Sequence, residues 1–176
     1  MCEHDHHGFS RRQFGSLFLG AAGLSLIPGI ARAAQIEALA ITCIDYRFYN
    51  KDTAFVANDL NLFRQADNVA LAGASLAGVS KMFVKSVPAF WEQVGLAQQL
   101  HHIKKVVLID HRECGAYNEE FGVPRDEAEE TAQHVKVMTE LAVEFRKRQL
   151  GLALEFWLMP VKGCAERLNI PGADAR

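Results

Sequence analysis

The chain has 176 residues, 49% hydrophobic and 23% charged, with a formal net charge of −2 at pH 7. These values suit one globular domain, and the near-neutral balance gives no electrostatic footprint for nucleic acid or an anionic membrane surface. No apolar run is long and clean enough for a typical spanning helix, apart from a candidate stretch at the N-terminus.

That stretch reads as a targeting segment. Ser10-Arg11-Arg12-Gln13-Phe14 resembles a twin-arginine export signal, with Gly15 where the pattern prefers Leu. A mildly apolar segment follows from Leu17 to Ile30, then Ala31-Arg32-Ala33, an A-x-A cleavage pattern. Charge, apolar run and small-residue site stand in the required order, which divides the chain into an export signal over residues 1–33 and one domain over 34–176. The expectation is a periplasmic or otherwise exported domain, with no stable membrane insertion after signal removal and with the export machinery as partner of the precursor. Cys2, His4, His6 and His7 form a metal-capable cluster in the leader, and cleavage would remove it. Cys43, Cys114 and Cys164 remain. An odd count fits a disulfide scaffold poorly, and a protein exported already folded can take up metal in the reducing cytoplasm first.

Ile36 to Thr42 reads as a short buried strand ending at Cys43. A helix is expected over about Ala54 to Gln65, on Phe55, Leu60, Leu62 and Phe63. Asp67-Asn68 is a turn signal, and Val69 to Ala72 a second strand running into Gly73-Ala74-Ser75. A helical region from about Met82 to His101 carries Pro88 as a kink or break. Its end at His101-His102 suits polar or cationic side chains, and Phe90 and Trp91 read as core or interface. Lys105 to Asp110 is the clearest strand. Glu127 to Arg148 is an amphipathic helix with Val135, Met138, Leu141, Ala142 and Phe145 on one face, ended by Gly151. His134 is expected to face solvent. Leu152 to Met159 is a fourth strand, and the rest is a short tail with Cys164 as a buried thiol. This order implies an α/β fold: a parallel β-sheet core of about four strands flanked by α-helices.

Ligands of such sheets bind outside the carboxyl ends of the strands, and Cys43 and His111 both stand there. If their strands are neighbours, the meeting place is a topological switch point. The two stretches are Cys43-Ile44-Asp45-Tyr46-Arg47 and His111-Arg112-Glu113-Cys114-Gly115. Two thiolates and one imidazole make a soft set suited to Zn2+, and three protein ligands leave a fourth position for water. Arg47 can grip Asp45 through a bidentate fork and keep it ionised. Asp45 would then orient the hydroxide at the open position, or swing in as a fourth ligand and close the site. Taken singly, Cys43 also reads as a small buried hydrophobe, His111 as a hydrogen-bonded loop histidine, and Asp45 with Arg47 as a structural ion pair.

C-x-D-x-R followed by a strand ending in H-x-x-C-G resembles the β-class carbonic anhydrases. The resemblance implies Cys43, His111 and Cys114 as zinc ligands and Asp45 with Arg47 as the catalytic dyad. It also implies reversible hydration of carbon dioxide to bicarbonate, and a homodimer or higher homo-oligomer with sites near the subunit interface. The sequence departs from the family at Tyr46, where Ser is usual, and at Leu71-Ala72-Gly73-Ala74, where Arg-Asn-Ala-Gly is usual. Tyr46 and Tyr117 flank the motifs as candidate pocket residues. The rival readings are a hydrolase of carbonyl sulfide or carbon disulfide with the same ligands, and a non-catalytic zinc-binding module.

Overall fold

The computed structural model describes residues 35–173. The export signal expected over residues 1–33 lies outside them. Five strands form one sheet in the order β2-β1-β3-β4-β5: β1 Ala38–Thr42, β2 Ala66–Ala70, β3 Lys105–His111, β4 Ala153–Met159 and β5 Glu166–Leu168. The first four are parallel, as expected, and β5 adds an antiparallel edge where a tail was read. Three residues whose side chains are mostly exposed give β5 no hydrophobic pattern to recognise.

β1 and β3 are buried along nearly their whole length, which is why both read as continuous apolar runs. Helices cover both faces. Leu39, Ile41, Val106 and Leu108 pack in one core with Phe90 and Val94 of α2 (Ser86–His101) and with Met138, Leu141 and Phe145 of α4 (Glu127–Lys147). Ala38, Ala40, Val107 and Ile109 point the other way, onto Phe48, Val56 and Leu62. The period-2 alternation of a strand separates the two sets. Phe90 is fully buried and Trp91 packs beside it, both as expected. Asp126 caps α4 by accepting the Glu129 N–H at 2.9 Å.

Several elements differ from the sequence reading. The helix expected from Ala54 begins earlier, as α1 Tyr49–Ala54. It widens into a π turn over Phe55–Asp59 and is over by Leu60. Asn61 and Arg64 take φ values of 53° and 56°, a left-handed geometry that no helix continues through. β2 includes Asp67 and Asn68, read as a turn, because an outer strand tolerates polar side chains. Pro88 neither kinks nor breaks α2. It falls in the first turn, where a missing N–H costs nothing. His101 is the last residue of α2, His102 caps it in a left-handed conformation, and His101 pairs with Asp67 at 2.7 Å. A short helix, α3 Gly115–Phe121, was not anticipated, and Cys164 is exposed, not buried.

The chain leaves β1 outward to β2 and returns to β3 on the other side of β1. The switch point therefore lies between the carboxyl ends of β1 and β3, next to Cys43 and His111. Among the described residues no helix is long and apolar enough to cross a membrane.

Candidate metal centre

Cys43 follows the last residue of β1, His111 is the last of β3, and Cys114 is the N-cap of α3. All three are buried, and one ligand atom from each lies within 4.8 Å of the others. The two sulfurs are 4.0 Å apart. Sulfurs each about 2.3 Å from one ion at a tetrahedral angle stand about 3.8 Å apart, so this spacing suits a shared metal. His111 Nδ1 lies 2.8 Å from the Arg112 carbonyl, which fixes that nitrogen as the donor. Its Nε2 is then the one with a lone pair, and this buried atom has no hydrogen-bond partner. An orphaned imidazole nitrogen beside two buried sulfurs, with its other nitrogen tied to a carbonyl, is what a metal-ligating histidine requires. The donor set fits zinc.

The surroundings favour a charged sulfur at Cys43. Cys43 Sγ accepts the Gly73 backbone N–H at 3.3 Å. The hydrogen bond with Cys114 holds the Cys43 thiol well below its ordinary range against the effect of burial, and His111 acts in the same direction. The same hydrogen bond, with burial, pushes the Cys114 thiol up. Burial lowers the His111 pKa, but the nearby Cys43 sulfur and the Arg112 carbonyl outweigh it, and the net direction is upward. Without metal, the three groups thus share protons that a cation would displace. Gly73 is necessary for its contact: its φ is +77°, and a Cβ there would come 2.9 Å from Leu76 Cβ.

Asp45 and Arg47 stand at the rim. Arg47 Nε donates to Asp45 Oδ1 at 3.0 Å and Oδ2 at 3.2 Å, and Nη2 donates to Oδ2 at 2.8 Å. The Arg47 backbone N–H adds a bond to Oδ1 at 3.0 Å. These bonds, the guanidinium first, hold the Asp45 carboxyl down to about 2. Asp45 Oδ2 is 3.9 Å from His111 Nε2, so the carboxylate faces the cluster. Arg47 is itself anchored across the site by the Glu113 carbonyl and carboxylate.

Other residues that hold the centre were missed in the sequence. Phe48 stacks on His111, with ring centroids 4.2 Å apart. Glu130 of α4 accepts the Glu113 N–H at 2.6 Å and pairs with Arg112 at 3.0 Å, clamping the turn between His111 and Cys114. Asp110 lies beneath His111. Its Oδ1 accepts the Ser75 N–H at 2.9 Å, and its Oδ2 meets the Tyr117 hydroxyl at 2.5 Å and His134 Nδ1 at 2.9 Å. His134, expected in solvent, is fully buried in this network. A polar residue inside an apolar stripe was the available signal, and only its partners distinguish it from an exposed one. Tyr117 belongs to the same network, and Tyr46 is 87% exposed. Neither lines the cavity of about 230 Å³ beside the cluster, which Tyr49 does, with Cys43 and Asp45.

A family model described as "Putative carbonic anhydrase" matches residues 33–150, which include every residue of the site. The chain belongs to that family. Two relatives, both described as uncharacterized proteins, are 29% identical to it over 136 residues, or 76% of this chain. One is from Rickettsia bellii (strain RML369-C), with 82% of its length covered, and one from Rickettsia conorii (strain Malish 7), with 73% covered. Among solved structures, the chain is similar to the β-carbonic anhydrase CafA of Aspergillus fumigatus. The TM-score is 0.45 and the identity 19%, with 82% of this chain and 80% of that one covered. It is also similar to a structure from a study of two tetrameric β-carbonic anhydrases of Sordaria macrospora, at a TM-score of 0.44 and 16% identity, covering 82% and 86%.

Proposed function

We propose that this domain is a zinc-dependent carbonic anhydrase, a lyase that interconverts carbon dioxide and bicarbonate. One observation carries the reading: the Cys43, His111 and Cys114 cluster has an ionised carboxylate at its rim that is turned toward it yet held by a guanidinium. Cys43, His111 and Cys114 would hold the metal, and zinc in such a site supplies a Lewis acid that ionises water near neutral pH. Asp45, acceptor-only when ionised, receives a hydrogen bond from the attacking oxygen nucleophile and so orients it. Arg47 keeps Asp45 charged and withholds it from becoming a fourth ligand. Phe48 and the Glu130 clamp keep His111 and the turn to Cys114 in place. The proton released on hydration passes to buffer.

The proposal includes export of the domain by the twin-arginine route and self-association. Ile44, Tyr46 and Tyr49, all exposed around the site, support the second point. The test of the activity is stopped-flow hydration of carbon dioxide by the zinc-loaded protein, with carbonyl sulfide as parallel substrate. Turnover of carbon dioxide is expected. Turnover of carbonyl sulfide alone, or of neither, would replace this reading with the hydrolase or the binding module.

A further inference from the structure

The cavity beside the cluster contains a buried acid that the mechanism above leaves unused. Asp52 on α1 is 3% exposed, and its Oδ1 has no hydrogen-bond partner. It lines the cavity with Cys43, Asp45, Tyr49, Thr53 and Asn68. Lys51, the adjacent base, is turned elsewhere, its Nζ donating to the Pro160 carbonyl at 2.5 Å and to that of Val161 at 3.4 Å. A buried polar oxygen without a partner, on a side chain that lines a space large enough for a small molecule, calls for a ligand that completes it.

We propose that the Asp52 carboxyl is a substrate contact, hydrogen-bonding to bicarbonate in this cavity. The identity of the ligand rests on the carbonic anhydrase reading. The contact itself rests on the orphaned oxygen and the cavity. The direction of the bond follows from charge. Asp45 is already ionised, so a second carboxylate would repel an anion, whereas a carboxyl that keeps its proton donates to it. Burial favours the protonated form and raises Asp52 to about 7. His111 and Lys51 act against that rise, and Cys43 and Asp110 act with it.

Bicarbonate labelled with 13C can be titrated by NMR into zinc-loaded full-length wild type, Asp52→Asn and Asp52→Leu. Zinc content and circular dichroism verify that each is intact. The Asn amide has nearly the shape of the acid and still donates, so its affinity should stay within about threefold of wild type. Leu has the bulk but no donor, and should weaken binding about tenfold or more. Should the Leu protein fail to fold, Asp52→Ala takes its place with the same expected loss. Wild-type affinity in the folded Leu or Ala protein, or no bicarbonate binding by wild type, would overturn the contact. Binding that is lost in the Leu protein alone, in an enzyme without turnover, would remove the activity and leave the contact standing.

Discussion

Asp45 and Arg47 face each other through three side-chain hydrogen bonds, and Asp45 Oδ2, which takes two of them, stands 3.9 Å from His111 Nε2. One carboxylate is thus shared between a guanidinium and a cluster that suits a cation. Removing either side should shift it. Arg47→Ala should release Asp45 toward the metal and close the fourth position. Asp45→Asn should leave the metal bound but orient the nucleophile poorly. Both variants should retain zinc and fold while losing about 10²–10⁴-fold in turnover. Stopped-flow assays at matched zinc content check this, and wild-type rates in either variant would remove Asp45 and Arg47 from the mechanism.

The same pair has a pH signature. Arg47 depresses the folded-state pKa of Asp45 to about 2, below the ordinary aspartate value of 3.8. A depressed carboxyl stabilises the fold above its unfolded pKa and loses that contribution as the pH falls through the folded one. The stability advantage of wild type over Asp45→Asn should therefore be level above about pH 5 and should shrink between pH 4 and 2. Denaturant titrations across that range measure it. An advantage that persists unchanged at pH 2 contradicts the pairing.

Much of the site was legible because its residues stand at strand ends. A buried parallel strand shows as an apolar run, and the first residues after β1 and at the end of β3 are Cys43 and His111. The ligand spacing and the Asp45–Arg47 fork follow from short-range chain geometry. The support behind them was not legible, because it depends on long-range pairing. Glu130 and His134 look like ordinary helix-surface residues until α4 is docked over the turn at Arg112–Cys114. α1 was misplaced for a related reason: apolar residues continue past Asp59, while left-handed Asn61 and Arg64 end the helical path.

The Asp110 network should be structural. Tyr117→Phe removes one hydroxyl that meets Asp110 Oδ2 at 2.5 Å in a fully buried setting. Loss of a hydrogen bond to a buried carboxylate costs about 1.5–3 kcal/mol. Urea unfolding of the zinc-loaded protein should show a loss of that order, and a neutral substitution would mean that Asp110 is satisfied without Tyr117.

Export should depend on Arg11 and Arg12, from the Ser-Arg-Arg-x-Phe pattern with its apolar run and A-x-A site. Changing both to Lys should leave precursor in the cytoplasm, as cell fractionation would detect. Unimpaired export of that variant would point to another route.

The central claim is that Cys43, His111 and Cys114 hold one zinc ion. Metal analysis of the purified full-length protein, beside its Cys43→Ser, Cys114→Ser double variant, tests it most directly. About one zinc per chain is expected in wild type, and almost none in the double variant, with weakened folding. Stoichiometric zinc retained in the double variant would contradict the site.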